Sequence, residues 1–166
     1  MVLLPAKPKN GADTTRGQLG VLAAADDGGN RFLAATVSAR SGERTGPLYV
    51  HAKIGIVDDC WLTVGSANLN EHSLFNDTEM NVVVQEPELV RAVRLRLWCE
   101  HLGCDAAELE GDPAEIVDER WRPVAEEQLA RRERGEPPVE KVMLLPHISR
   151  RTKGVLGPLN GFLVDG

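Results

Sequence analysis

One segment, Leu48 to Val57, constrains the fold of this chain most, because its polar and apolar residues alternate. Side chains two residues apart along a β-strand share a face. A strand over this segment places Tyr49, His51 and Lys53 on one face, and we expect the apolar set on the other face to lie in the core: Val50, Ala52, Ile54 and Ile56. The pattern also fixes the register, since a slip of one residue would bury His51 and Lys53.

A second strand is predicted directly after this segment. The Asp58-Asp59 turn separates it from Trp61–Val64, so the two strands are predicted to form a β-hairpin. Other apolar runs predict further strands at Val2–Leu4, Phe32–Val37 and Met80–Val84.

Helical patterns alternate with these strands. A short helix is predicted at Gly17–Ala25, and a longer one begins at Pro87 and runs to about Leu102, where Gly103 ends it. We expect the apolar residues of the longer helix to form one buried face: Leu89, Val90, Val93, Leu97 and Trp98.

The last helical pattern follows Asp112-Pro113, a cap and a proline that favour a helix start. It predicts a solvated helix over Glu115–Arg134 that is interrupted near Pro123. Together, these elements predict an α/β fold, a mixed β-sheet flanked by helices.

The composition is that of a soluble globular domain of ordinary size, with 166 residues, 42% hydrophobic and 27% charged. The net charge of -6 disfavours nucleic acid as a partner, and residues 71–140 alone hold 18 acidic against 8 basic residues. An anionic substrate therefore needs a local binding site.

The compartment is indicated by cysteine usage and by the apolar runs. Three irregularly spaced cysteines form no disulfide framework, and their odd number favours a reducing compartment. No apolar run reaches the roughly 20 residues that span a bilayer, and residues 1–5 lack the basic start of a signal peptide. We expect a cytoplasmic protein, with transient peripheral contact at a membrane surface as the alternative.

A turn of small residues, Gly65-Ser66-Ala67-Asn68, follows the second strand of the hairpin. Its hydroxyl, amide and backbone N–H groups can converge on an anion. A phosphodiester would meet Lys53 as counter-charge, Ser66 and Asn68 as hydrogen-bond donors, and His51 as a group able to attack or to donate a proton near neutral pH.

This arrangement requires neither a metal nor another cofactor. A zinc site built from His51, Cys60 and His72 would not match the common zinc-ligand spacings. We therefore expect no metal ligands in the chain.

The spacing His51-x-Lys53-x4-Asp58-x6-Gly65-Ser66-x-Asn68 resembles the signature of the phospholipase D superfamily. Six fixed residues match by chance in on the order of one in 10⁷ to 10⁸ windows at ordinary residue frequencies. Further segments resemble the carboxy-terminal half of bacterial phospholipase D and cardiolipin-synthase-like proteins: residues 4–8, 11–19, 76–81, 145–151 and 157–161.

The resemblance implies one half of a two-lobed fold and a two-step transfer. One histidine attacks phosphorus to form a phosphohistidine, and a second protonates the leaving alcohol and then activates water or another alcohol. Two motifs make one site, either in a single chain or in a homodimer. This chain carries one motif, because His72, His101 and His147 lack the companion residues.

The chain is therefore expected to encode half a site, and its opening in mid-strand favours a fragment of a longer protein. By analogy with the carboxy-terminal half, His51 would be the general acid, with the role of nucleophile as the alternative. The resemblance implies that Glu79 orients a catalytic histidine. Asp58 belongs to the motif, and its place at a strand end fits a catalytic role or bonding to turn amides.

The domain prediction is a catalytic half-domain over residues 1–111 and a helical segment with a tail over 112–166 that packs on it. The predicted function is cleavage or exchange of a phospholipid head group; the head group, the acceptor and the balance of hydrolysis and transfer stay open. The alternatives are a homodimeric phosphodiesterase or nuclease of the same superfamily and a non-catalytic half that binds a partner. The predicted partners are a phospholipid or other phosphodiester and a second motif-bearing half.

Overall fold

The computed structural model describes residues 1–5, 12–42, 44–69 and 72–145. The chain divides into two compact units, one from Met1–Val50 with Gly111–Gly166 and the other from His51–Glu110. Residues from both ends of the chain thus share one unit. The sequence predicts a different division, into a catalytic part over residues 1–111 and a helical part over residues 112–166. That division is based on catalytic role and stays a prediction.

The unit formed by the two ends of the chain contains a four-stranded mixed sheet within the described residues. Strand β2 (Ala34–Ser41) pairs in parallel with β1 (Val2–Leu3) and antiparallel with β3 (Arg44–Pro47) and β7 (Val142–Leu144). Its first residues are buried, as a central strand with mixed neighbours requires.

Helix α1 (Ala12–Ala25) joins β1 to β2, which confirms the predicted short helix with an earlier start. Leu19 of α1 packs in a buried cluster with Ala34 of β2 and with Leu145, which follows β7. This cluster fastens the helix to the mixed sheet.

The helical region after residue 111 begins as predicted. The Asp112 carboxylate accepts hydrogen bonds from the backbone N–H groups of Ala114 and Glu115 at 2.7 and 3.2 Å, capping α3 (Pro113–Ile116). A π-helical turn over Val117–Trp121 leads into α4 (Arg122–Glu133), whose first turn holds Pro123. The predicted interruption is therefore present, and α4 packs against β7.

The second unit contains an antiparallel sheet of β4 (Lys53–Val57), β5 (Trp61–Gly65) and β6 (Asn81–Val84), followed by α2 (Pro87–Leu102). The predicted hairpin is confirmed. Asp58 and Asp59 have φ angles of 50° and 51°, which a type I′ turn requires at both central positions. Aspartate tolerates this left-handed conformation better than most residues.

The predicted start of the first hairpin strand is wrong. The strand begins at Lys53 and not at Leu48, so His51 lies two residues before it. The predicted burial of the apolar face is also wrong at Ala52, which is exposed, and at Ile54, which is 41% exposed. Strand β5 ends at Gly65, opposite Lys53, so it offers no backbone partner to residues that precede Lys53.

Helix α2 has the predicted limits, and Gly103 ends it with a φ of 69°. Its buried residues are Val90, Arg94 and Trp98, which recur every four positions on one face. Leu89, predicted to be buried, is exposed. An arginine therefore occupies the centre of the buried face.

The predicted fold class, α/β with mixed sheet pairing and helices, is confirmed. The described strands divide between two sheets, where the sequence predicts one. Within the described ranges, no helix combines the length and the apolar character needed to cross a membrane.

Candidate active site

Three strand ends meet at one edge of the antiparallel sheet in the second unit. Lys53 opens β4 opposite Gly65 at the end of β5, and Gly65 lies opposite Asn81 at the start of β6. The turn after β5 and the segment before β6 therefore lie beside the start of β4. This register brings Lys53, Ser66 and Glu79 to the same edge.

Gly65 allows the two segments to approach closely. A Cβ atom at this position would overlap the side-chain oxygen of Asn81 and the backbone oxygen of Met80. Any side chain here would push β5 and the start of β6 apart. The glycine of the motif is thus required by backbone packing.

Ser66 links the turn to the segment before β6 through three hydrogen bonds. Its hydroxyl donates to Glu79 Oε2 at 2.5 Å and accepts from the backbone N–H of Met80 at 3.0 Å. Its own backbone N–H donates to the Met80 carbonyl at 3.0 Å. The hydroxyl proton of Ser66 therefore points at a carboxylate, where the sequence predicts a donor to phosphate.

Glu79 is held in its ionised form. Hydrogen bonds from the hydroxyls of Ser66 and then Ser73 lower the pKa of its carboxyl below the ordinary value. Burial opposes them, and the positive charge of Lys53 lowers the pKa by less than these effects. A carboxylate with two hydroxyl donors is a rigid hydrogen-bond acceptor. It is suited to fix donors around it.

Lys53 is half-buried at the same edge. Its ammonium group donates to the backbone oxygen of His51 at 2.9 Å, so the lysine side chain folds back toward the residue two positions before it. This contact connects the motif histidine to the edge. The side chain of His51 is exposed.

The amide of Asn68 lies on the other side of the turn. Its Nδ2 donates to the hydroxyl oxygen of Ser73 at 3.4 Å. The neighbouring backbone N–H of Ala67 donates to Asn81 Oδ1 at 3.1 Å, and Asn81 Nδ2 donates to Thr63 Oγ1 at 3.0 Å. The turn that carries Ser66 and Asn68 is thus bonded to β6 through Asn81, and Asn81 is in turn bonded to β5.

Asp58 is not brought to this edge. It follows Val57 at the far end of β4, and at about 3.4 Å per residue Val57 is itself roughly 14 Å from Lys53. Its exposed side chain lies in the hairpin turn. Asp58 therefore lies in the turn at one end of the hairpin, whereas Lys53, Gly65 and Ser66 lie at the other end.

Sequence reasoning missed Ser73 and Asn81, which hold the turn and Glu79 in place. The repeated polar residues of the 76–81 segment were a signal for Asn81, while Ser73 gave none. Basic residues in the polar loops near both ends of the chain were further candidates from the sequence. Of these, Lys7, Lys9, Arg150, Arg151 and Lys153 lie outside the described residues, as do His147 and the side chains of Arg16 and His72.

The charge state of Glu79 predicts how stability depends on pH. Because its pKa is lowered in the folded protein, the carboxylate stabilises the fold above its ordinary value of 4.5 and loses that contribution as the pH falls through the lowered pKa. We expect the free energy of unfolding to fall more steeply with acidification in the wild type than in Glu79→Gln. Urea unfolding from neutral to acid pH measures this difference.

Glu86→Gln, an exposed carboxyl just before α2, is the control for this titration. Other carboxyls with lowered pKa, Asp26 and Glu136, are unchanged in all three proteins and cancel in the comparison. Identical pH profiles for the wild type and Glu79→Gln would contradict the described bonding of this carboxylate.

Comparison with known proteins identifies relatives of this chain. A sequence model of the family described as Phospholipase D matches residues 27–148. Phospholipase D zeta 1 of Arabidopsis thaliana is 37% identical over 91 residues, which cover 45% of this chain and 8% of that protein. Phospholipase D1 of Saccharomyces cerevisiae is 35% identical over 94 residues, covering 46% and 5%.

A third relative, phospholipase D A of Dictyostelium discoideum, is 39% identical over 77 residues, covering 36% of this chain and 6% of that protein. The chain therefore spans less than a tenth of the length of these curated relatives.

Proposed function

This chain belongs to the phospholipase D family, and from that premise we propose that it forms one half of a site that cleaves or exchanges a phosphodiester. The observation that carries the proposal is the convergence of Lys53, Ser66 and Glu79 at one sheet edge, with His51 directly before it. Transfer at phosphorus is assisted by a counter-charge, here Lys53, and by an imidazole that attacks or moves a proton, here His51. The Ser66–Glu79 pair orders the turn beside them.

The proposed reaction has two steps. In the first, one histidine nitrogen forms a bond to phosphorus, the bond from phosphorus to the leaving alcohol breaks, and a second histidine gives that alcohol its proton. In the second, the second histidine removes a proton from water or another alcohol, whose oxygen bonds to phosphorus and releases the first imidazole. His51 performs one of these two roles.

The remaining groups of the site assist this reaction. Lys53 balances the negative charge that develops on the phosphoryl oxygens, and the Asn68 amide, held by Ser73, is the proposed hydrogen-bond donor to them. Ser66 acts through Glu79 and orders the turn. Asp58 is assigned to the hairpin turn, as a structural member of the motif.

A second motif-bearing half is part of this proposal, because the chain carries a single copy of the motif. The same sheet also carries an exposed apolar row on the face opposite Lys53, because Ile54 directly follows Lys53 in β4. Ile54, Val64 and Val82 are directly opposite one another on three strands, share a face, and are all exposed. Such a row favours contact with another protein surface.

Two features favour a phospholipid over a nucleic acid as substrate. No lysine or arginine occurs between Lys53 and Arg91, so the segments that form the site carry none of the basic residues that track a nucleic-acid backbone. The same segments display apolar side chains at Leu69, Phe75 and Met80, which are 88%, 80% and 80% exposed. These three residues form the apolar rim of the site.

The apolar rim gives a prediction about lipid. We expect Leu69→Ser combined with Phe75→Ser to weaken binding to phosphatidylcholine vesicles roughly tenfold or more, because burying each such side chain contributes about 1.5–3 kcal/mol. Cosedimentation with vesicles measures this affinity. Turnover of a short soluble phosphodiester by the assembled enzyme should not change.

Leu22→Ser is the matched control, since Leu22 is half-exposed on α1 in the other unit. Equal vesicle binding by the rim variant and the control variant would contradict a lipid-facing rim. If the rim variant still binds vesicles but no longer binds the second motif-bearing half, the rim would be assigned to protein contact.

The test of the proposed function is turnover of a chromogenic phosphodiester and of phosphatidylcholine over a concentration series, with the mass in solution measured alongside. Activity that rises with the dimer population would place two copies of His51 in one symmetric site. A monomer that becomes active only with a second motif-bearing half would assign this chain to a two-part enzyme. Inactivity under both conditions would contradict the proposal and favour a half that binds without chemistry.

A further inference from the structure

Ser73 is a buried polar side chain between two groups of the candidate site. It is 5% exposed and lies in a short π-helical turn over His72–Asn76. Its hydroxyl oxygen accepts the amide N–H of Asn68 at 3.4 Å, and hydrogen bonding by the same hydroxyl lowers the pKa of the Glu79 carboxyl. One hydroxyl therefore connects the turn after β5 with the segment before β6.

We propose that Ser73 is a positioning residue, which aims the Asn68 amide and fixes the Glu79 carboxylate. This inference rests on the proposed function of the same site. Ser73 lies outside the six fixed residues of the motif, and no fixed spacing from His51 points to it.

The bonding pattern explains why a hydroxyl is required at this position. Glu79 receives one hydroxyl from Ser66, which is anchored to Met80, and one from Ser73. A carboxylate held by two donors has a fixed orientation, whereas one held by a single donor can rotate about it. Ser73 thus removes the remaining freedom of Glu79.

Burial strengthens this argument. A buried hydroxyl that lost its acceptor would be costly, so Ser73 keeps both of its partners in place at the same time. The positive charge of Lys53 acts on Glu79 across the edge, so the position of the carboxylate sets the field at the lysine. Ser73 consequently influences the phosphate-binding lysine without contacting substrate.

The first test is a nuclear magnetic resonance titration of the Glu79 side-chain carboxyl carbon, which needs no activity. We expect Ser73→Ala to move the titration midpoint of Glu79 upward, toward the ordinary value of 4.5. Ser73→Thr retains the hydroxyl and should keep the wild-type midpoint. The hydroxyls that act on Glu79 are those of Ser66 and Ser73. Thr78→Val removes a different hydroxyl, next to Glu79 in sequence, and is the matched control.

The second test is kinetic and uses the assembled two-motif enzyme. We expect Ser73→Ala to lower kcat roughly 10- to 100-fold, the range found when groups that orient functional residues are removed, and Ser73→Thr to restore it. A midpoint that does not move in a folded Ser73→Ala protein would overturn the inference. If Ser73→Ala does not fold, Ser73→Cys is used instead, because a thiol is a weaker donor of similar size and should give an intermediate Glu79 midpoint. An unmoved midpoint in Ser73→Cys would then overturn the inference equally.

The two tests separate the two proposals. A wild-type assembly that turns over no phosphodiester would contradict the proposed function, while the titration still decides whether Ser73 controls Glu79. Normal turnover with an unmoved midpoint would leave the function intact and remove Ser73 from the site.

Discussion

Replacing His51 with alanine is expected to lower phosphodiester turnover by the assembled enzyme roughly 10²- to 10⁴-fold, the contribution of a positioned acid or base. The fold should be nearly unaffected, because His51 is exposed and lies two residues before β4. Initial rates on a chromogenic phosphodiester, together with thermal unfolding of the same samples, measure both effects. Full activity in His51→Ala would contradict the central proposal.

His101→Ala is the matched control for the loss of a histidine. His101 lies in the last turn of α2 and lacks the motif companions. Its replacement should leave turnover within a few-fold of the wild type. A loss equal to that of His51→Ala would show that the assay responds to general instability.

The leaving group distinguishes the two roles open to His51. A general acid matters little when the departing alcohol is already a weak base, so His51→Ala should retain far more activity on a nitrophenyl ester than on a choline ester if His51 is the acid. A nucleophile is required for both substrates alike. In that case the variant should also fail to form the acid-labile phosphohistidine that the proposed mechanism expects in the wild type.

Replacing Arg94 with methionine is the second large effect, and it concerns stability. We expect a loss of up to about 3–5 kcal/mol in the free energy of unfolding, the cost of breaking a fully buried ion pair, because the Arg94 side chain is 3% exposed and its partner Asp59 is 20% exposed. Arg94 is 2% exposed, and two of its nitrogens donate to the two carboxylate oxygens of Asp59 at 2.6 and 2.8 Å. A third donates to the Leu109 carbonyl at 3.3 Å.

The guanidinium also lies 4.6 Å from the ring centre of Trp98, one helical turn along α2. Arg96→Met is the matched control, because Arg96 is exposed on the same helix. Denaturant unfolding of both variants gives the comparison. Equal losses would contradict a special role for Arg94, and a double variant with Asp59→Asn should lose less than the two single losses added.

The hairpin could be predicted from sequence because its signals are local. Two adjacent aspartates between β-branched runs favour a turn with two positive φ angles, and the turn fixes the pairing of the flanking strands. The length of β4 could not be predicted, because it depends on where its neighbour ends. Leu48 to Ala52 have the composition of a strand, but β5 stops opposite Lys53.

The buried face of α2 shows a different limit. Apolar periodicity identified Val90 and Trp98, but Arg94 between them reads as a surface residue unless its partner is known. That partner, Asp59, is 35 residues earlier in the sequence. A long-range ion pair leaves no periodic signal, so sequence reasoning places such an arginine in solvent.

The candidate site was predictable to the extent that its residues occupy a fixed spacing. His51, Lys53, Ser66 and Asn68 were selected by that spacing, and the register of β4 with β5 brings Lys53 and the turn together. What each group bonds to was not predictable. Ser66 donates to Glu79 because β6 returns beside the same edge, which is a property of the folded sheet.

The ion pair of Arg94 with Asp59 holds one end of the β4–β5 hairpin, while the motif residues occupy the other. Because the two strands are hydrogen-bonded along their length, fixing one end of the hairpin limits the movement of the other end. We expect weaker anchoring at Asp59 to lower the temperature at which turnover fails without changing the chemistry at moderate temperature. The hairpin tip is thus the position at which to adapt such an enzyme to cold or heat while its reacting groups stay the same.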